Sequence, residues 1–148
     1  IHAAKRGLDV IDYDLNRGLP AFIDGQFDVV ILSATLQAVE NVEALLSEML
    51  RVGKQAIISF PNFAYRALRD DYVTRGRSPK AHGEFRHEWF NTPNRRFPSI
   101  ADVKDLCVKM QITIVEELYF DSETDSRISP ECHPNLNADT AILVVKRL

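Results

Sequence analysis

The stretch FDVVILSATLQAVEN, residues 27–41, decides the fold of this chain. Its first half, Phe27 to Leu32, is almost entirely Val, Ile, Leu and Phe, which is typical of a strand buried on both faces of a parallel sheet. Its second half changes abruptly to small and polar residues. Open α/β sheets bind their ligands outside the carboxyl ends of the strands. The stretch therefore predicts a strand that leads into a ligand loop.

Strand-like runs and amphipathic helical patterns alternate along the rest of the chain. The predicted strands cover 9–13, 27–32, 55–60, 112–120 and 140–146, and the predicted helices cover 41–52, 62–76 and 99–111. Asn41 is expected to cap the first helix, and Ser99 with Asp102 fits a capping box at the last one. Because no helical pattern separates the last two strands, they are predicted to form an antiparallel pair at one end of an otherwise parallel sheet.

Composition places the chain among globular domains. It has 148 residues, 45% of them hydrophobic and 26% charged, which suits a single α/β domain over residues 1–148. The net charge of -3 argues against a nucleic-acid-binding protein, which usually carries a basic surface. No apolar run approaches the roughly 20 residues that span a bilayer, so we expect no membrane segment. Two cysteines, Cys107 and Cys132, make no disulfide framework, and a cytoplasmic location is expected.

Six segments together carry a resemblance to a known family. They are DYDLNRGL (12–19), FDVVILSATLQAV (27–39), LLSEMLRVGKQAIISFPNF (45–63), RGRSP (75–79), EWFNTPN (88–94) and SIADVKDLC (99–107). In content and order they resemble the methionine biosynthesis protein MetW family, within the class I S-adenosylmethionine-dependent methyltransferases. The resemblance implies a Rossmann-like α/β fold, with a mostly parallel sheet and a C-terminal antiparallel strand pair.

The resemblance also implies that an N-terminal part of the fold is missing. The family's glycine-rich turn would lie there, and the six glycines of this chain form no G-x-G cluster. We therefore expect the chain to represent the C-terminal two-thirds of the domain. We also expect weak or absent S-adenosylmethionine binding by this chain alone.

A cofactor site is implied at two places. By resemblance, the Asp14 carboxylate accepts a hydrogen bond from the adenine amino group, and the Leu15 backbone N–H binds a ring nitrogen. The residues implied near the sulfonium end are Ser33, Ala34, Thr35 and Gln37. The residue pattern alone leaves two simpler alternatives open: Asp14 caps a turn, and residues 33–37 form an ordinary strand–helix connection.

Two functions remain open at this stage. One is methyl transfer to a small acceptor, for which His87 and Tyr65 are candidate bases, although neither the catalytic residue nor the acceptor follows from the sequence. The other, implied by the resemblance, is a non-catalytic partner or activator of homoserine O-acyltransferase. No metal site is predicted, because the candidate ligands His82, Glu84, His87 and Glu88, with Cys132 and His133 further on, lie in loop-like sequence.

Two surfaces are singled out for contacts. The strand at 9–13 is expected either to pair beside residues 27–32 or to pair with a second chain in a homodimer, since exposed strand edges recruit other strands. The loop at 82–97 is rich in aromatic residues and arginines, among them Trp89, Phe90, Arg95 and Arg96. It is expected to act either as a lid over the sheet edge or as a surface for a substrate or partner.

Overall fold

The computed structural model describes residues 5–80 and 85–148 and shows a mixed sheet with helices beside it. The strands are β1 (Phe27–Ser33), β2 (Gly53–Pro61), β3 (Ile112–Asp121), β4 (Ser126–Ile128) and β5 (Thr140–Arg147). The helices are α1 (Val42–Val52), α2 (Arg66–Arg75), α3 (Ile100–Lys109) and the short α4 (Pro134–Asn137), and a 3₁₀ turn covers Leu15–Arg17. In these two described ranges, no helix has both the length and the apolar character needed to cross a membrane.

The strand order in the sheet is β1-β2-β5-β3-β4. Strands β1 and β2 are parallel, whereas the β2–β5, β5–β3 and β3–β4 pairs are antiparallel. The predicted antiparallel pair of β3 and β5 is confirmed. The prediction of a mostly parallel sheet is wrong, because a single parallel pair is present among the described strands.

The strand predicted at 9–13 is also wrong. These residues belong to no strand, and Leu8, Val10 and Ile11 are each more than half exposed. Strand composition supplies only a preference for extended backbone, and a strand forms when a neighbouring backbone pairs with it. Residues 9–13 do not pair with β1, so the expectation that they lie beside residues 27–32 fails. Pairing with a second chain stays a prediction.

Strand β1 lies at one edge of the sheet and is covered on one face. Leu32 is buried and Val30 packs against the core that α1 helps to form. On the opposite face Val29 and Ile31 are 43% and 67% exposed. The prediction of two-sided burial for this strand is therefore wrong, because no described element covers that second face.

Helices α1 and α3 contribute to one hydrophobic core on the sheet. Leu46 and Met49 of α1 and Val103 of α3 join Ile58 and Leu143 from the central strands in this core. Both predicted caps are confirmed: the Asn41 Oδ1 accepts a hydrogen bond from the Ala44 N–H at 2.9 Å, and Ser99 with Asp102 forms a capping box. Capping fixes where each helix begins, and so fixes the loops that precede them.

Gly53 joins α1 directly to β2 and is required by close approach. A Cβ at this position would lie 2.6 Å from the Val30 Cγ2 of the neighbouring strand. The helix can therefore turn straight into a strand that runs beside β1 only because this residue has no side chain.

Asn62 lies one residue after β2 and is completely buried. Its Nδ2 donates to the carbonyl oxygens of Ala138 at 2.7 Å and Asn135 at 3.1 Å. Its Oδ1 accepts from the backbone N–H groups of Ala64 at 3.1 Å and Ile100 at 3.3 Å. One side chain thus ties the carboxyl end of β2 to the start of α3 and to the segment that leads into β5.

Candidate functional site

Asp14 caps the 3₁₀ turn that precedes β1. Its Oδ1 accepts hydrogen bonds from the Asn16 N–H and the Asn16 Nδ2, both at 3.0 Å. The side chain is 55% exposed, and the nearest cation, the Arg17 Nε, lies 3.9 Å from the other carboxylate oxygen. Leu15 is the first residue of the turn, where the backbone N–H has no acceptor inside the turn. Asp14 therefore caps this turn with one carboxylate oxygen, and its side chain stays largely exposed.

Asn16 connects this turn to the loop after β1. While its amide nitrogen donates to Asp14, its Oδ1 accepts a hydrogen bond from the Glu40 N–H at 2.8 Å. Glu40 lies 24 residues after Asn16 and three residues after the loop at 33–37, so one side chain ties the turn to the segment that follows that loop. Nothing in the sequence distinguishes Asn16 from an ordinary turn residue, so this contact could not be predicted.

The loop after β1 begins with small exposed residues. Ser33 ends the strand opposite Ser59 of β2, and Ala34 follows in the left-handed region with a φ of 45°. The Ala34 N–H donates to the Ser59 carbonyl at 3.1 Å and to the Ser59 Oγ at 3.0 Å. Thr35 donates its hydroxyl to the Ser33 carbonyl at 2.7 Å. The backbone at the carboxyl end of β1 is therefore both fixed and open to solvent.

Gln37 lies behind this loop with only 2% of its surface exposed. Its Nε2 donates to the Ala34 carbonyl at 2.8 Å, whereas its buried Oε1 has no hydrogen-bond partner in the described part of the chain. Both atoms share one carbon, so the unsatisfied oxygen lies beside the Ala34 carbonyl. A buried acceptor without a donor is unfavourable, and a bound water or ion is one of the ways in which such a group is satisfied.

Arg51 and Glu48 of α1 fix the loop between the 3₁₀ turn and β1. The Glu48 carboxylate accepts from the Leu19 N–H at 2.9 Å, and the Arg51 guanidinium donates to the carbonyls of Leu19 and Phe22, each at 3.0 Å. The two side chains also pair with each other at 2.7 Å. Hydrogen bonds from Arg51, followed by the one from Leu19, lower the pKa of Glu48 to about 2. This network holds the turn that carries Asp14 against α1.

Residues 85–97 are the part of the aromatic loop that the structure describes. They form one side of a cleft of about 240 Å³. The start of this part packs inward, since Phe85 is buried and meets Phe63 edge to face at 5.2 Å. Trp89 and Phe90 instead point outward and are 75% and 69% exposed. The described part of the loop therefore packs inward at its start and is exposed at Trp89 and Phe90.

The two candidate bases lie in different surroundings. His87 lines the cleft. Tyr65 is buried, and burial together with the nearby carboxylates of Asp121 and Asp139 raises the pKa of its phenol. A phenol with a raised pKa keeps its proton at neutral pH, so Tyr65 is better suited to donate a proton than to accept one.

The remaining candidate ligands form no metal site in the described ranges. Among residues 5–80 and 85–148 no three His, Cys, Asp or Glu side chains are grouped to hold a metal ion. His82 and Glu84 lie outside those residues. Cys107 is buried, and burial raises the pKa of its thiol, so it acts as an apolar core residue.

Comparison with known proteins identifies the family. The model of the family described as methionine biosynthesis protein MetW matches residues 1–145. A curated relative, the bifunctional methionine biosynthesis protein MetXA/MetW of Rhodopirellula baltica, is 68% identical over 144 residues. The match covers 97% of this chain and 23% of that protein, so the chain spans about a quarter of the length of this relative.

Solved structures show the same fold at low identity. A SAM-dependent methyltransferase, possible histamine N-methyltransferase, from Thermotoga maritima matches with a TM-score of 0.65 and 19% identity over 99% of this chain and 67% of that one. An S-adenosylmethionine-dependent methyltransferase from Mesorhizobium loti matches with a TM-score of 0.56 and 16% identity over 98% and 74%. The chain therefore has an S-adenosylmethionine-dependent methyltransferase fold and belongs to the family of the methionine biosynthesis protein MetW.

Proposed function

We propose that this chain serves methionine biosynthesis as a methyltransferase-like domain whose Asp14 turn and loop Ser33–Gln37 form part of an S-adenosylmethionine site. The observation that carries the proposal is the position of Asn16, which bonds to Asp14 and to the Glu40 N–H at once. This contact ties the Asp14 turn, to which the family resemblance assigns the adenine end, to Glu40, which lies three residues after the loop assigned to the sulfonium end.

The residues at these two regions fit such a ligand. Asp14 keeps one carboxylate oxygen exposed for the adenine amino group, and the Leu15 N–H stands next to it for a ring nitrogen. The small side chains of Ser33 and Ala34 let a ligand approach the backbone.

The chain's contribution to chemistry is positioning. S-adenosylmethionine, when bound, supplies a methyl group on a positively charged sulfur. Transfer of such a group needs an aligned acceptor more than a fixed catalytic residue. We assign no base, and the raised pKa of Tyr65 makes that residue the weaker of the two candidates.

Isothermal titration with S-adenosylmethionine tests the site. We compare the 148-residue chain with the same chain extended at its N-terminus by the glycine-rich segment of a MetW relative. The extended chain should bind, and the 148-residue chain should bind very weakly, since the glycine-rich segment is expected to add several ligand contacts worth about 1–3 kcal/mol each. Micromolar binding by the short chain would show that the site is misplaced.

Asp14→Ala in the extended chain should weaken binding by about tenfold or more, because it removes a charge-assisted hydrogen bond. Asp12→Ala is the matched control, since Asp12 is an exposed carboxylate in the same segment. Equal losses in the two variants would contradict a specific role for Asp14.

A second function is favoured by the Rhodopirellula baltica relative, which joins MetXA and MetW in one bifunctional protein. We propose that this chain acts beside a homoserine O-acyltransferase, the activity we assign to the MetXA part, and does so in the cytoplasm. The buried Cys107 and the exposed Cys132 are both free thiols, in keeping with a reducing compartment.

Mixing this chain with a homoserine O-acyltransferase should give co-elution in size-exclusion chromatography and a changed acylation rate. Separate elution with an unchanged rate would contradict the partnership.

A further inference from the structure

Four large aromatic side chains form an exposed surface on one side of the domain. Tyr72, Trp89, Phe90 and Phe97, here called the aromatic surface, are 58%, 75%, 69% and 64% exposed. Single exposed apolar residues are common on proteins, but contiguous ones mark places where another molecule binds. These four side chains are contiguous, as the cleft beside them shows.

Tyr72, Trp89 and Phe97 all line the same cleft of about 240 Å³, whose inner wall includes Phe63. Phe90 joins them through an edge-to-face contact with Trp89 at 5.6 Å. Phe97 in turn meets Phe63 edge to face at 5.1 Å. The aromatic surface is thus the exposed rim of a hollow with an apolar floor, large enough to receive a side chain from another protein.

The end of the loop is anchored to the body of the domain. The backbone N–H groups of Arg95 and Arg96 donate to the Gln37 carbonyl at 2.8 and 2.9 Å. The Arg95 side chain pairs with the Glu40 carboxylate at 2.6 Å, and the Arg96 side chain donates to the Glu40 carbonyl at 2.7 Å. These contacts fix the backbone next to Phe97 and use both guanidinium groups internally. A surface that is already ordered loses less entropy on binding.

The segment that supplies the aromatic surface differs in charge from the whole chain. The sequence from Arg66 to Phe97 contains eight Lys and Arg but four Asp and Glu, whereas the chain as a whole carries a net charge of -3. Positive charge beside exposed aromatic residues favours a partner that presents an apolar side chain surrounded by carboxylates. Because the aromatic side chains are mostly exposed, they suit a protein surface better than a small molecule, which a site usually encloses.

We propose that the aromatic surface is the face on which this chain docks the homoserine O-acyltransferase. The inference rests on the partnership proposed above. The Rhodopirellula baltica relative carries MetXA and MetW in one protein, which is the reason for choosing the acyltransferase as the partner. An apolar side chain of the acyltransferase enters the cleft beside Trp89, and carboxylates around it face the basic residues of the segment Arg66–Phe97.

The test measures the dissociation constant for the acyltransferase by isothermal titration. Trp89→Ala and Phe90→Ala should each weaken binding by tenfold or more, and Trp89→Phe should restore part of it. Val108→Ala is the matched control: Val108 is a 77% exposed apolar residue on α3 that does not line the cleft, and its loss should leave binding unchanged. Thermal unfolding of every variant should match the wild type, since the substituted side chains are mostly exposed.

The outcomes separate the two proposals. If the wild-type chain binds the acyltransferase and both aromatic variants bind equally well, the docking surface is wrong while the partnership stands. If the wild-type chain does not bind, both proposals fall. If Trp89→Ala leaves acyltransferase binding intact but abolishes binding of a small methyl acceptor, the cleft is a substrate site and the docking proposal is overturned.

Discussion

The side-chain oxygen of Asn16 accepts a hydrogen bond from the backbone N–H of Glu40 at 2.8 Å, while the amide nitrogen of the same side chain donates to Asp14. Glu40 also pairs with Arg95, which precedes Phe97 of the aromatic surface. A continuous set of hydrogen bonds therefore runs from the proposed adenine end of the cofactor site to the proposed docking surface.

Replacement of Asn16 tests the first link of this set. Asn16→Ala leaves the Glu40 N–H without its acceptor, so the free energy of unfolding should fall by about 1 kcal/mol. In the N-terminally extended chain, S-adenosylmethionine affinity should fall as well, because the turn and the loop are no longer held together. Urea unfolding and titration measure the two effects. Arg17→Ala in the same turn is the control, since the Arg17 Nε lies 3.9 Å from Asp14 and makes only an exposed contact.

The pair of Glu48 and Arg51 predicts a pH dependence. Because the pKa of Glu48 is lowered from 4.5 to about 2 in the folded chain, its ionised form stabilises the fold fully above about pH 4.5. That contribution is lost as the pH falls toward 2. The difference in unfolding free energy between the wild type and Glu48→Gln should therefore shrink across this window.

Urea unfolding at several pH values checks the prediction. Glu43→Gln is the control, since Glu43 forms an exposed ion pair with Lys109 at 2.7 Å, and exposed pairs contribute little. A difference between wild type and Glu48→Gln that stays constant down to pH 2 would contradict the assigned role of Arg51.

Gly53 offers a test of packing at the junction of α1 and β2. Gly53→Ala places a methyl group 2.6 Å from the Val30 Cγ2, so the strands must shift and the chain should lose about 1–3 kcal/mol of stability. The double variant Gly53→Ala with Val30→Ala removes the clashing group. Chemical unfolding should show that the two substitutions together destabilise less than the sum of their separate effects. Additive losses would mean that the glycine serves another purpose.

The exposed edge and face of β1 predict self-association. Among the described strands only β2 pairs with β1, and Ile31 is 67% exposed. At high concentration the chain should form dimers through this strand, and Ile31→Lys should keep it monomeric, because charged side chains protect strand edges. Light scattering over a concentration series measures this. A monomer at every concentration, or dimers that persist in Ile31→Lys, would contradict the prediction.

Local sequence signals predicted much of the fold. Helix α1 was predictable because Asn41 caps it and its apolar residues recur at helical spacing, and α3 because Ser99 and Asp102 form a capping box. The apolar run Phe27 to Leu32 predicted β1, but its burial could not be inferred. Burial of Val29 and Ile31 depends on what packs on the second face, and no local pattern contains that information. The same reason explains why the strand predicted at residues 9–13 is wrong: these residues have strand composition, but no neighbouring strand pairs with them.

The candidate site was predictable only in part. Asp14 and the loop Ser33–Gln37 follow from their place after strand-like runs and from the family resemblance. The roles of Asn16, Glu40 and Arg95 did not follow, because each depends on a contact between residues distant in the chain. The Arg95–Glu40 pair, for example, joins residues 55 positions apart.

The hydrogen bonds of Asn62 have a consequence for folding kinetics. Two of its partners, Asn135 and Ala138, lie 73 and 76 residues away, and a third, Ile100, lies 38 residues away. Contacts between such distant segments require long loops to close first, so they are expected to form late in folding. Asn62→Ala should therefore accelerate unfolding while leaving the refolding rate nearly unchanged, as stopped-flow measurements over a range of urea concentrations can show. If Asn62→Ala instead slowed refolding in proportion to the lost stability, the hydrogen bonds of Asn62 would already be formed in the folding transition state.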